Sequence, residues 1–172
     1  MMFTSEADFE RADWPLLQNG AVNLFWKPEI LADARGELAG LDYEISEVSC
    51  GAEVPSFEVQ LSNALKWQEQ FGYEPWTGNL DALNDGLRYY PFGPSGRSAL
   101  VLTGFHHLVA ADSERAHVIL DIIETAARDH LLNAKLLIAL VQTDDPGYSC
   151  PDIGGRNASW NGREWLNANR GL

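Results

Sequence analysis

Six consecutive apolar residues near the end of the chain, at positions 136–141, constrain the fold more than any other segment. A short apolar run of this kind is typical of a strand buried on both faces, as in parallel sheets covered by helices. Parallel strands need crossover connections, and predicted helices alternate with predicted strands along most of this chain. We therefore predict an α/β fold built on a short parallel sheet that packs against helices.

The other predicted elements follow from hydrophobic periodicity and from capping residues. Strands are predicted at residues 21–26, 43–50, 99–102 and 136–141, and helices at residues 28–40, 55–72 and 79–87 and from residue 112 or 113 onward. Residues 4–19 are mixed and acidic, so we expect irregular structure there. The predicted organisation is an irregular N-terminal segment (1–19), an α/β domain (20–145) and a loop-rich tail (146–172) that packs on the domain.

Residues 76–87 predict an amphipathic helix with two acidic side chains on one face. Asn79 is a favourable N-cap. The apolar stripe consists of Leu80, Leu83 and Leu87. Asp81 and Asp85 are four positions apart, so their carboxylates project together from the other side of the helix. Like charges at this spacing weaken a helix by about 0.2–0.5 kcal/mol. Taken alone, the pair is also typical of an ordinary solvated helix face.

An aromatic residue followed by Thr-Gly-Asn-Leu-Asp-Ala-Leu-Asn-Asp resembles the signature of the barstar family, which consists of small intracellular inhibitors of secreted ribonucleases. The resemblance covers residues 41–145. It implies a barstar-like α/β fold, to which the strand and helix at residues 20–40 would be an addition. It also implies that the helix enters a nuclease active site, where Asp81 and Asp85 meet the cations that would otherwise bind RNA phosphate.

Further contact residues are predicted from aromatic composition and from the same resemblance. Aromatic side chains beside charges are favoured at interfaces, although each could equally pack in the core. The family carries an acidic contact on a later helix, near Glu124 or Thr125 here, and Asn84 stands where its founding member has Trp. The predicted partner-binding residues are Tyr73, Trp76, Asn79, Asp81, Asn84, Asp85, Tyr89, Tyr90 and Glu124.

The charge of the chain favours basic protein partners. The 172 residues carry a formal net charge of −13, which should repel nucleic acid and anionic membranes and attract basic surfaces. The first residues show no signal peptide, so we expect a cytoplasmic protein. Cys50 and Cys150 lack CxxC spacing and are expected to be reduced and structural.

No assembled catalytic or metal-binding motif is visible in the sequence. His106 and His107 are adjacent, and in extended chain they would point to opposite sides, so we expect no metal site and no cofactor. Asp81 and Asp85 could form a catalytic carboxyl pair, but such a pair needs a dry pocket that raises one pKa. A helix start flanked by polar residues predicts a wet surface instead, and we do not expect an enzyme.

The sequence thus favours a monomeric, cytoplasmic inhibitor that blocks the active site of a basic, extracellular-type ribonuclease or a related toxin. Two alternatives remain open at this point. The first is a barstar-fold binding module or immunity protein for a different toxin or regulator. The second is a hydrolase that uses Asp81 and Asp85.

Overall fold

The computed structural model describes residues 3–52 and 55–172. Its strands are β1 (Val22–Phe25), β2 (Glu44–Ser49), β3 (Arg97–Thr103), β4 (Leu136–Gln142) and β5 (Ser159–Trp160). They form one parallel sheet in the order β2-β3-β4-β1-β5. This confirms the predicted α/β class and places β4 at the centre of the sheet, where its continuous apolar sequence is required.

Helices cover both faces of this sheet. They are α1 (Glu6–Phe9), α2 (Asp13–Leu17), α3 (Pro28–Gly40), α4 (Phe57–Ala64), α5 (Trp67–Phe71), α6 (Leu80–Arg88), α7 (His106–Ala111) and α8 (Ser113–Leu131), with a 3₁₀ helix at Asn167–Arg170. Apolar residues of α4, α6 and α8 pack on one face of the sheet, whereas α3 packs on the other. Alternate β4 residues enter the two cores, because successive side chains of a strand point to opposite faces.

The prediction of irregular structure at residues 4–19 was wrong, because α1 and α2 form there. The carboxylate of Asp8 accepts hydrogen bonds from the backbone N–H groups of Thr4 (2.7 Å) and Ser5 (2.9 Å) and so caps α1. Asp13 is fully buried in α2, where it binds Arg11 and the hydroxyl group of Tyr43 (2.7 Å). Local capping and one buried carboxylate therefore order this segment.

Three further elements differ from the prediction. The helix expected at 55–72 is divided into α4 and α5 by Lys66, whose φ is +49°. Helix α7 was not predicted, and it contains both His106 and His107. The tail contributes β5, which extends the sheet beside β1. No helix in the described part of the chain is both long and apolar enough to cross a membrane.

The tail is held by a buried carboxylate. Glu164 has no exposed surface and accepts hydrogen bonds from the backbone N–H groups of Trp26 (3.0 Å) and Lys27 (2.8 Å) and from the side-chain amide of Asn161 (2.5 Å). Asn161 in turn donates to the carbonyl oxygen of Leu24 (3.1 Å). These bonds fix the tail on the end of β1.

Candidate functional site

The start of α6 is fixed by a local cap and by one buried aromatic residue. The side-chain oxygen of Asn79 accepts a hydrogen bond from the N–H of Ala82 (3.1 Å), as the sequence predicts. The indole N–H of Trp76 donates to the carbonyl oxygen of Asn79 (2.7 Å), and the backbone N–H of Trp76 donates to the hydroxyl of the buried Ser62 (2.6 Å). Trp76 thereby connects the first turn of α6 to α4.

The inner face of α6 is tightly packed. Leu83 and Leu87 are fully buried, and α6 lies along α8. Gly86 faces the ring of Trp67 so closely that a Cβ atom there would lie 2.6 Å from Cζ3 of the ring. Only a residue without a side chain allows this approach. The contact fixes the rotation of α6 about its axis, and with it the direction of the opposite face.

The outer face of α6 carries the two predicted carboxylates and is open to solvent. Asp81, Asn84, Asp85 and Arg88 are all exposed. Within residues 3–52 and 55–172, neither aspartate side chain makes a hydrogen bond or an ion pair. Side chains four residues apart on a helix have Cβ atoms about 5–6 Å apart. The surface therefore presents two adjacent negative charges without partners, which we call the α6 acidic face (Asp81, Asn84 and Asp85).

Two tyrosines flank the α6 acidic face in sequence, and both are exposed. The exposed fraction is 46% for Tyr73 and 68% for Tyr89. The ring of Tyr73 packs edge-to-face against the ring of Trp67, with ring centroids 6.2 Å apart, so one side of the tyrosine ring is in contact with the protein. Tyr89 follows directly after the last residue of α6. Both side chains are available for contact with another molecule.

Three predicted contact residues are instead buried, so they are not part of the predicted partner-binding surface. The exposed fractions are 1% for Trp76, 6% for Tyr90 and 3% for Glu124. Burial raises the pKa of Tyr90 to about 12. The Glu124 carboxylate accepts hydrogen bonds from the N–H groups of Ala21 (2.7 Å) and Val22 (3.2 Å), so it anchors β1. Its neighbour Thr125, the other position considered, is exposed but carries no charge.

One residue with a positioning role was not predicted. Arg115, in the first turn of α8, donates a hydrogen bond to the carbonyl oxygen of Gly78 and lies over the ring of Trp76 at 5.7 Å from its centroid. It therefore holds the loop that leads into α6. The sequence gives no signal for this role, because the partners are nearly forty residues apart.

The histidine pair also differs from expectation, because it lies in α7 rather than in extended chain. The two rings are in contact, with centroids 4.1 Å apart and planes inclined at 40°, and Nδ1 of His106 accepts a hydrogen bond from the N–H of Asp144 (3.2 Å). Among the described residues, no group of three His, Cys, Asp or Glu side chains is arranged to hold a metal ion. Cys50 and Cys150 form no disulfide.

Comparison with known families identifies the segment that contains α6. The sequence model of the family described as Barstar (barnase inhibitor) matches residues 54–142, slightly more than half of the chain. The matched segment contains α4 to α8, β3 and β4. No curated protein and no solved structure is significantly similar to the chain. The remaining residues, which form α1, α2, β1, α3, β2 and the tail, lie outside the match.

Proposed function

Because this chain belongs to the barstar family, we propose that it is a cytoplasmic, non-catalytic inhibitor that binds a basic ribonuclease through the α6 acidic face. The observation that carries the proposal is the pair of exposed carboxylates, Asp81 and Asp85, on a helix whose opposite face is buried at Leu83, Gly86 and Leu87. Neither carboxylate has a hydrogen-bond or ion-pair partner in the part of the chain that the structure describes. Both are available to replace the phosphate groups of RNA in a nuclease active site.

The proposed mechanism is steric and electrostatic occlusion of that active site. Carboxylates that meet Arg or Lys form strong charge-assisted hydrogen bonds. Rigid presentation of the pair by α6 lowers the entropy lost on binding, because the helix is already held by Trp76 and Gly86. The net charge of −13 accelerates the encounter with a basic protein at low salt. Tyr73 and Tyr89 would exclude water from the edges of the contact.

The geometry argues against the hydrolase alternative. A carboxyl group that acts as a general acid at neutral pH needs a dry environment that raises its pKa. Asp81 and Asp85 are exposed, and the residues around them on α6 are polar. Such a pair suits the binding of cations better than acid–base catalysis.

An inhibition assay tests the proposal. Increasing amounts of the protein are added to a basic, barnase-type ribonuclease, and RNA cleavage is measured. We expect cleavage to stop near equimolar protein. The double variant Asp81→Ala/Asp85→Ala should fail to inhibit, whereas Glu29→Ala should inhibit like the unmodified protein, because Glu29 is exposed on α3, on the opposite face of the sheet. Equal inhibition by both variants would contradict the proposal.

A second candidate is an immunity protein or binding module for a different basic protein. Asn84 favours it, because a small amide lies on the α6 acidic face where the resemblance implies a large aromatic contact. This candidate predicts that the protein fails to inhibit barnase-type ribonucleases but captures another basic protein from host lysate or secretions. Capture should then be lost in the same double variant.

A further inference from the structure

A cleft on the sheet face opposite α6 has the size and lining of a ligand site. It contains about 370 Å³ between α2, α3 and the tail and is partly open to solvent. Its apolar floor is formed by Leu16, Phe25, Ile30 and Ala34. Every residue that lines it lies outside residues 54–142, so the cleft is built entirely by the parts of the chain that the family model does not match.

Buried polar contacts hold the walls of this cleft in place. On the α2 side, Asp13 is bound to Arg11 and Tyr43, and the side-chain amide of Asn23 donates to the carbonyl oxygen of Leu16 (2.8 Å). On the tail side, Glu164 binds the backbone at the end of β1. Moving either wall inward would break hydrogen bonds to buried groups, which is costly. The hydrogen bonds of the fold therefore keep the two walls of the cleft apart.

The charges around the opening are predominantly negative. Glu10, Asp33 and Glu37 line the cleft together with one cation, Arg163. Arg163 is paired with Asp33 at 2.6 Å. Among the described residues, Glu10 forms no ion pair, and Glu37 forms no direct ion pair, although after Asp33 it also helps to raise the pKa of Arg163. The opening therefore attracts positive charge, while the floor attracts an apolar group.

From this combination we infer that the cleft is a binding site for a small organic cation, an ammonium or guanidinium group attached to an apolar body. Its volume lies in the range of about 300–1,000 Å³ that is usual for small-molecule sites. The apolar body would cover Phe25, Ile30 and Ala34, and the cation would lie beside Glu10 and Glu37. This inference does not depend on the function proposed for the α6 acidic face.

Three probes of similar size and different charge test the inference: phenethylammonium, phenethyl alcohol and phenylacetate. Binding is followed by NMR chemical shifts of the backbone amides. We expect saturable shifts at α2, α3 and the tail, with the ammonium probe bound at least about fivefold more tightly than the alcohol. Phenylacetate should bind most weakly. Equal affinities for the three probes, or shifts confined to α6, would overturn the inference.

Variants on α3 supply matched controls. Glu37→Gln should weaken phenethylammonium binding at least about twofold, since it removes one exposed charge. Glu29→Gln, which lies on the same helix outside the cleft, should leave the affinity unchanged. Ala34→Phe should fill the floor and abolish binding, with Ala34→Leu as the milder substitution if the first fails to fold. Binding that survives in a folded Ala34 variant, or that responds equally to both glutamate changes, would also overturn the inference.

Discussion

Two sets of carboxylates in this protein differ in burial, in partners and in role. Asp13, Glu124 and Glu164 are at most 3% exposed, and each accepts at least two hydrogen bonds. Asp81 and Asp85 are exposed and accept none from the described residues. Burying a charge is costly unless it is paired, so the first set must act in folding. The second set contributes nothing visible to the fold and is free to bind.

The buried set shares a further property. Each of the three carboxylates fixes a segment outside residues 54–142: Asp13 holds α2, Glu124 holds the start of β1, and Glu164 holds the tail. Glu124, one of the two residues predicted as an acidic contact on the later helix, instead holds the start of β1. Whether a carboxylate of this protein stabilises the fold or is available for binding therefore depends on its hydrogen-bond partners rather than on its place in a sequence motif.

The largest predicted effect concerns Glu164. Glu164→Ala leaves the backbone N–H groups of Trp26 and Lys27 without their acceptor and removes one of the two acceptors of the Asn161 amide. A group left unsatisfied in this way costs about 1–3 kcal/mol when it is buried, and the two N–H groups are part-buried, so the free energy of unfolding should fall by about 2–4 kcal/mol. Urea denaturation measures this. Glu29→Ala, which removes an exposed carboxylate, should change it by less than about 0.5 kcal/mol. A similarly small change in both variants would show that the buried carboxylate of Glu164 does not stabilise the fold.

A second prediction concerns the packing of the inner face of α6. Replacing a helical glycine with alanine ordinarily stabilises a protein, but the added Cβ of Gly86→Ala would collide with Trp67. We expect the free energy of unfolding to fall by about 1–2 kcal/mol, because the steric clash with Trp67 destabilises the protein more than the higher helix propensity of alanine stabilises it. Asn84→Ala, on the exposed face of the same helix, should be neutral or slightly stabilising. Thermal denaturation of the two variants distinguishes these outcomes, and a more stable Gly86→Ala would contradict the packing.

Salt tests whether the exposed charges steer binding. The rate constant for association with the ribonuclease should fall by about tenfold between low and physiological salt, because screening weakens attraction between exposed charges. The dissociation rate constant should change less. Stopped-flow mixing measures both. An association rate constant that does not depend on salt would contradict the proposal that the net charge accelerates association.

The smallest predicted effect concerns the flanking tyrosines. Tyr89→Ala should weaken ribonuclease binding by about 1 kcal/mol without changing stability, since the side chain is 68% exposed. Trp165→Ala provides the control, because Trp165 is similarly exposed but lies in the tail. Its affinity should match that of the unmodified protein. Equal losses in the two variants, measured by surface plasmon resonance, would show that Tyr89 has no special place in the contact.

The sequence predicted those features that depend on neighbouring residues. The cap at Asn79 and the outward direction of Asp81 and Asp85 depend only on spacing along one helix, and both are present in the structure. The central position of β4 follows in the same way from its continuous apolar run.

Burial that depends on distant contacts could not be predicted. Trp76 and Tyr73 look alike in the sequence, but only Trp76 is enclosed, because Ser62 and Arg115 reach it from two other helices. The partners of Glu124, the N–H groups of Ala21 and Val22, lie about a hundred residues away at the start of β1. Strand β5 could not be predicted from the sequence either, because it has only two residues and depends on the contact between Asn161 and Leu24.

The most direct test measures affinity and stability together in Asp81→Ala and Asp85→Ala. Calorimetric titration with the ribonuclease should show that each substitution weakens binding by about 2–5 kcal/mol, as loss of a desolvated interface charge pair does. Chemical denaturation of the same samples should show changes of less than about 1 kcal/mol, because neither side chain has a partner among residues 3–52 and 55–172. Unchanged affinity in both variants, or a loss of stability as large as the loss of affinity, would contradict the account.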